Sequence, residues 1–234
     1  MEDQDLRLLK AARDTYIVRP PRQTLATFGA TVIRYFVVTD PVFGDFNRNG
    51  EPDETVVREG VVTAARPQVV TPLYLTRHEG FGDKASRYLR EMLEQHGPDS
   101  PGLLYSYRND PEETSIVSGR SREVARRIAD RLDKEKRNLE AVIHGVDELW
   151  DVSLMKFIYE LTNSSVRSNA SELHRRGLLE VEGGVPLDAR RHINWLMTEA
   201  QEGRLDPGEI HNELERWDLF DEYQDRFFKL FKKK

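Results

Sequence analysis

The sequence predicts an α+β fold, with a small antiparallel β-sheet and helices in the N-terminal half, followed by an all-helical C-terminal half. Residues 31–38 and 55–62 are rich in β-branched side chains, which favour strands. Beyond residue 120, apolar residues recur at the helical interval of three or four. We therefore predict a mixed region over residues 1–120 and a helical region over residues 121–234, and leave open whether the two share one core.

Two helices are predicted in the mixed region. Leucine and alanine residues between Leu6 and Ala12 favour an N-terminal helix. The prolines at 20 and 21 limit its extent, because proline cannot continue a helix. A second helix is predicted over residues 85–93, where apolar residues again have helical spacing.

The remaining strands of this region are predicted from shorter patterns. Residues 68–70 favour a third strand, and Pro67 places its start at an edge or a bend. Residues 103–107 and 114–117 are predicted to pair as a hairpin. The turn-forming sequence Asn-Asp-Pro at 109–111 would connect them.

The helical region contains clear start signals and one strongly apolar segment. Ser121 is predicted to be the N-cap of its first helix, because serine side chains accept bonds from first-turn amides. Residues 149–161 are apolar almost all round, which predicts a central buried helix. Asp206 followed by Pro207 predicts a later helix start, with proline at the first helical position.

Composition limits the function classes. The chain of 234 residues has a net charge of −6, which argues against general nucleic-acid binding. It has no cysteine, so disulfides, thiolate nucleophiles and cysteine-based zinc sites are excluded. No apolar run has the length of a membrane helix or of a signal-peptide core, so we expect no membrane partner and a cytoplasmic location.

The loop at 45–54 has oxygen-bearing side chains at alternate positions, a pattern typical of calcium loops. The candidate ligands are Asp45, Asn47, Asn49 and Asp53. The twelfth position holds Val56 instead of the bidentate glutamate, and the flanks are predicted strands rather than helices. The favoured interpretation is a surface turn, with calcium as the alternative.

Residues 153–185 suggest a DNA-binding alternative. The order of helix, glycine, short strand and tight turn near residue 180 resembles the end of a winged-helix recognition helix running into its wing. The candidate contacts to nucleic acid are Arg167, Asn169, His174, Arg175 and Arg176. Glu180 and Glu182 in the predicted wing would repel DNA. The competing interpretation is a helix with basic residues in its last turn, which the helix dipole favours.

Acid–base chemistry has only scattered candidates in the sequence. His78, Glu79, Arg108 and Asp151 are the residues that a small-molecule or metal-dependent enzyme would bring together in one pocket. His144 and Asp147, just before the apolar helix, are further polar residues of this kind. No established nucleotide, metalloprotease or hydrolase motif is present.

The C-terminal aromatic residues suggest an interaction surface. Phe227, Phe228 and Phe231 are expected to pack within the chain, and a homodimer or protein-partner contact is the main alternative. The sequence therefore favours a non-catalytic interaction or regulatory protein with no predicted cofactor. A small-molecule or metal-dependent enzyme comes second, and a DNA-binding regulator comes third.

Overall fold

The computed structural model describes residues 2–41, 54–72 and 99–231, together with single residues 74, 87, 88, 91, 94, 95 and 97. Contacts divide the chain into two compact units. The α/β unit comprises Met1–Arg66 and Tyr105–Asn169, and the second unit comprises Pro67–Leu104 and Ala170–Lys234. The predicted division near residue 120 therefore falls inside the α/β unit, between a strand and a helix.

The described residues form nine strands and six α-helices. The strands are β1 (Tyr16–Arg19), β2 (Thr31–Asp40), β3 (Glu54–Ala64), β4 (Gln68–Val70), β5 (Gly102–Leu104), β6 (Tyr107–Ser118), β7 (Glu140–Val146), β8 (Val181–Glu182) and β9 (Val185–Pro186). The helices are α1 (Glu2–Asp14), α2 (Ser121–Lys134), α3 (Trp150–Arg175), α4 (Leu187–Gln201), α5 (Pro207–Trp217) and α6 (Phe220–Lys229). The α+β fold class is confirmed, but the predicted all-helical region beyond residue 120 also contributes the strand β7 to the main sheet. None of the described helices combines the length and apolarity needed to cross a membrane.

The α/β unit is built on a sheet of five strands in the order β1-β7-β2-β3-β6. The sheet is mixed, because β7 runs parallel to β2 whereas the other neighbours are antiparallel. Two antiparallel steps separate β2 from β6, so β2, β6 and β7 all point the same way. They end at Asp40, Ser118 and Val146, and we call this side of the sheet its carboxyl edge.

Helices cover both faces of this sheet. Alternate residues of β2 point to opposite faces, as in any strand. The residues packed around α2 are Phe36, Val38, Val57, Val124, Ala125, Leu132 and Val142. The residues packed around α3 include Ile33, Tyr35, Val37, Ile143, Leu154, Phe157 and Ile158. The predicted central position of residues 31–38 is confirmed, because the strand they form is apolar on both faces.

The predicted N-terminal and apolar helices are present, with different limits. Helix α1 ends at Asp14, and the chain then forms the edge strand β1 before it reaches Pro20. Helix α3 begins at Trp150 and runs for 26 residues. It is buried on one side only, because Met155 and Tyr159 lie on its solvent-exposed outer face. The predicted helix over 85–93 falls mostly outside the described residues.

The predicted hairpin around 109–111 is wrong. Residues 107–118 form the single strand β6, which pairs along its whole length with β3. Pro111 is tolerated because β6 is an edge strand and its register shifts at Gly60, opposite this proline. Leu103 and Leu104 instead belong to β5, which pairs with β4 in the second unit.

The second unit combines two small two-stranded sheets with helices α4 to α6. Its core includes Ile193, Met197, Ile210, Leu214 and Trp217. The β8–β9 turn is formed by two glycines with positive φ, the geometry that tight hairpins require. The predicted helix start is confirmed, since an Asp206 oxygen accepts the first-turn amide of Gly208 at 2.6 Å.

Candidate functional site

Polar side chains gather at the carboxyl edge of the α/β unit. Ligands of open α/β sheets generally bind just outside the carboxyl ends of parallel strands. Here β2 ends with Thr39 and Asp40, and β7 carries His144 near its end and Asp147 just beyond it. Ser121 begins α2, which follows β6 after a two-residue turn. This edge therefore contains side chains from the ends of β2 and β7 and from the start of α2.

The central feature of the site is a buried serine–histidine pair. The Ser121 hydroxyl lies 2.9 Å from Nε2 of His144. Ser121 is 3% exposed and His144 is 9% exposed. The preceding Gly119 has a φ of +118°, a conformation that favours glycine, and its carbonyl accepts the Thr55 hydroxyl at 2.6 Å. This fixed turn places Ser121 against β7.

The surroundings of His144 favour its neutral form. Burial lowers the pKa of His144 below its usual value of 6.5, and the nearby Arg122 lowers it further. Asp40 acts in the opposite direction. The ring stacks on Tyr16 of the neighbouring strand at 4.7 Å between ring centres. Its Nδ1 is buried and has no hydrogen-bond partner among the described residues.

Asp40 lies on the same face of the sheet as this histidine. Val38 is the residue of β2 that pairs with His144 in register. Asp40 comes two residues later in the same strand and therefore points to the same side. The Asp40 side chain is exposed, and its negative charge acts to raise the pKa of the imidazole. Ser121 on α2 and His144 on β7 thus meet, and Asp40 at the end of β2 lies on the same face of the sheet.

The other face of the carboxyl edge carries a complete ion pair. Arg58 donates to Asp147 at 2.6 Å and to the Thr39 hydroxyl at 3.2 Å. Thr39 in turn donates to the same Asp147 oxygen at 2.8 Å. The guanidinium also lies 5.8 Å from the centre of the Trp150 ring, within the range of a cation–π contact. Each group in this cluster is used by its neighbours.

The structure does not bring Arg108 and Asp151 together, the two predicted enzyme residues that it describes. Arg108 lies near the start of β6, at the end of the strand away from the carboxyl edge. It donates to Asp110 at 2.9 Å. Asp151 lies in the first turn of α3 near the carboxyl edge, where its carboxylate accepts the amide of Val152. His78 and Glu79 lie outside the described residues.

The candidate nucleic-acid contacts fall into two groups. Asn169 is only 1% exposed and is bonded inside the α/β unit, so its side chain is not presented to solvent. The remaining four are exposed and lie on α3 or directly after it: Arg167, His174, Arg175 and Arg176. The hairpin β8–β9 that follows has only two residues in each strand.

The candidate metal ligands Asp45, Asn47, Asn49 and Asp53 lie outside the described residues. Within the described part of the chain, no group of three histidine, aspartate or glutamate side chains is arranged to hold a metal ion.

The C-terminal phenylalanines divide between core and surface. Phe227 is buried in the core of the second unit. Phe228 and Phe231 are exposed, and each makes an edge contact with the Phe227 ring. Packing within the chain therefore accounts for Phe227.

Sequence reasoning missed the role of Ser121. It predicted an N-cap, but Arg120 occupies the cap position, and the serine hydroxyl bonds to His144 instead. Two signals were available: a serine two residues after a glycine that ends a strand, and a lone histidine within the apolar run at 141–146. Neither signal shows that the two side chains meet.

Comparison of the chain with protein-family models, with curated protein sequences and with solved structures gave no match.

Proposed function

We propose that the α/β unit binds a small polar molecule at its carboxyl edge, and that the chain acts through this ligand as an interaction or regulatory protein. The proposal keeps the first expectation from the sequence and adds a place for the ligand. That place is the surface around Ser121, His144 and Asp40, which we call the carboxyl-edge site.

The observation that carries the proposal is the unpartnered Nδ1 of His144. Among the described residues nothing bonds to this buried atom. Buried polar atoms in folded proteins are nearly always paired, and leaving one unpaired costs about 1–3 kcal/mol. A polar ligand atom that bonded to Nδ1 would recover this loss, so the site favours occupation.

The surroundings support a ligand at this edge rather than elsewhere on the sheet. Helices α2 and α3 already cover the two faces. The first turn of α2 leaves backbone N–H groups without partners inside the helix, and these attract ligand oxygens. A neutral imidazole can donate from one nitrogen and accept at the other, so it suits a polar ligand of either hydrogen-bonding type.

Nuclear magnetic resonance on protein labelled with ¹⁵N-histidine tests the proposal. The probes are sodium acetate, acetamide and inorganic phosphate, which present a carboxylate, a neutral amide and a phosphate. We expect at least one probe to shift the His144 ring signals in a saturable manner, because a bonded Nδ1 changes its electronic environment.

His144→Gln assigns the signals, and exposed His174 provides an internal control for nonspecific effects. Ser121→Ala should weaken the response by removing the partner of Nε2. If none of the three probes shifts the His144 signals more than those of His174, the proposed ligand site is wrong.

A further inference from the structure

We propose that Ser121 is a nucleophile that accepts an acyl group from small activated carboxylic esters, with His144 as its general base. The inference rests on the proposed carboxyl-edge site and names a class of ligand for it. It arises from the contact between a hydroxyl and an imidazole that the fold has placed together.

The geometry of the pair suits nucleophilic attack. A serine is activated when a base lies within hydrogen-bond reach of its hydroxyl, at about 2.6–3.2 Å. The separation of Ser121 Oγ from Nε2 of His144 is 2.9 Å. Burial lowers the pKa of His144 and so favours the neutral imidazole, whose Nε2 can take the serine proton when the ring carries its own proton on Nδ1.

The position of Ser121 also suits the charge that would develop during attack. It is the first residue of a 14-residue helix. The amino end of a helix carries a partial positive charge and has N–H groups that lack partners within the helix. Such groups stabilise the oxyanion of a tetrahedral intermediate. The helix α2 therefore places this stabilisation directly beside the nucleophile.

Asp40 is the candidate positioning residue for the base. When Nε2 accepts a proton from serine, the neutral ring must carry its own proton on Nδ1. Nδ1 is the atom without a partner among the described residues, and Asp40 points to the same face of the sheet. The negative charge of Asp40 acts on the ring and would stabilise the imidazolium that forms when His144 takes the serine proton.

Access to the pair depends on Tyr16. Ser121 and His144 are almost fully buried, whereas Tyr16 is 41% exposed and stacks on the imidazole. Tyr16 lies on the four-residue edge strand β1, opposite His144 in register. Movement of its ring would expose the imidazole, so a smaller side chain at this position should admit esters faster.

The proposed step is balanced in atoms and electrons. Ser121 Oγ forms a bond to the ester carbonyl carbon while Nε2 of His144 takes the hydroxyl proton. The tetrahedral intermediate collapses, the bond from carbon to the alkoxy oxygen breaks, and His144 returns the proton to the departing alcohol. The products are an acylated Ser121 and a free alcohol, and no oxidant, reductant or metal is needed.

Acetylation by p-nitrophenyl acetate tests this step in the full-length protein. Intact-mass measurement and peptide mapping should find an acetyl group on Ser121. The adduct should be absent in Ser121→Ala and at least about 100-fold slower to form in His144→Gln, the scale of general-base catalysis. Tyr16→Ala should accelerate it, and Asp40→Asn should slow it.

A matched control is Ser153→Ala. Ser153 is equally buried, but it bonds to the Thr15 hydroxyl rather than to a histidine. This variant should leave acetylation of Ser121 unchanged. The rate in the unsubstituted protein should fall as His144 becomes protonated at low pH, and His144→Gln should abolish that dependence.

The outcomes separate the two proposals. If Ser121 is not acetylated in the folded protein or in Tyr16→Ala, the nucleophile is wrong. If acetate, acetamide or phosphate nevertheless shifts the His144 signals, the ligand site stands without it. If Ser121 is acetylated equally fast in His144→Gln and in the unsubstituted protein, His144 is not the general base. Melting curves of each variant confirm that loss of labelling does not arise from unfolding.

Discussion

Asn169 and His144 are two buried polar side chains of the same α/β unit, and they differ in whether their hydrogen bonds are complete. Asn169 receives a bond from the Tyr105 hydroxyl at 2.8 Å. It donates to the Leu25 carbonyl and the Thr27 hydroxyl, each at 2.9 Å. His144 bonds through one nitrogen only among the described residues. Both polar atoms of the Asn169 side chain are therefore hydrogen-bonded, whereas Nδ1 of His144 has no partner among the described residues.

Their positions explain this difference. Asn169 lies where the segment between β1 and β2 crosses α3. Asn169 donates to the Leu25 carbonyl and Ser165 accepts the Leu25 amide, so both side chains bind this segment to the helix. An irregular segment has no strand or helix partners for its backbone, so side chains must supply them. His144 lies at the carboxyl edge, where α/β sheets commonly bind ligands.

The largest effect is expected for Asn169→Leu. The substitution leaves the Leu25 carbonyl and the hydroxyls of Tyr105 and Thr27 without this partner, so we expect a loss of about 3 kcal/mol in the free energy of unfolding. Chemical unfolding followed by circular dichroism measures it. Asn163→Leu on the exposed side of the same helix is the control and should change stability by less than about 0.5 kcal/mol. Equal effects of the two substitutions would contradict a structural role for Asn169.

This contrast also shows what the sequence could predict. The apolar run at 31–38 predicts a central strand because burial on both faces leaves a signal in consecutive residues. Asp206 with Pro207 predicts a helix start because capping is local. Asn169 was a candidate DNA contact because its segment resembles a recognition helix, and its buried role was not visible because its partners Leu25 and Tyr105 are far away in sequence.

The same limit applies to the candidate site. Ser121 and His144 are 23 residues apart, and they meet only because β7 inserts beside β2 within the sheet. Nothing in the local pattern specifies that strand order. The predicted hairpin failed for a related reason, since a proline is allowed in an edge strand and the sequence does not show which strand is at an edge.

The next largest effect tests whether position at the carboxyl edge or complete hydrogen bonding distinguishes His144 from Asn169. Asp147 lies at the carboxyl edge like His144, but it is fully engaged by Arg58 and Thr39. Asp147→Ala should therefore behave like a structural substitution and cost about 2 kcal/mol, because it leaves a half-buried guanidinium without its partner. In contrast, Asp110→Ala at the exposed pair with Arg108 should cost less than about 0.5 kcal/mol. A small loss for Asp147→Ala in urea unfolding would show that carboxyl-edge position matters more than bonding.

A smaller effect concerns the pH dependence of stability. The pKa of His144 is lowered in the folded state, chiefly by burial, so the unfolded chain binds this proton more readily. Stability from this residue is complete above pH 6.5 and is lost as pH falls from there through the folded-state pKa. Asp40 and Arg122 are the charged groups that modulate it, and Tyr16 stacks on the ring. Between pH 7.5 and 4.5, the free energy of unfolding should fall less steeply with decreasing pH in His144→Gln than in the unsubstituted protein. Identical slopes would mean that the imidazole is protonated in the folded protein without cost.

The smallest effect on stability should come from Ser121→Ala, and its size relative to Ser153→Ala decides how the pair is to be understood. Ser153 bonds to Thr15 at 2.7 Å and accepts the Val146 amide at 3.3 Å, and it also packs against Gly145, where a Cβ would collide with it. Its loss should cost about 2 kcal/mol. Among the described residues the Ser121 hydroxyl has one partner, Nε2 of His144, so its loss should cost about 1 kcal/mol, the low end of the range for a buried atom left unpaired. Thermal unfolding of both variants, compared with their acetylation, gives the test.

If Ser121→Ala is the more destabilising of the two, the serine–histidine bond is a structural link like that of Asn169. If it is the milder and yet abolishes acetylation, the bond holds a reactive group in place.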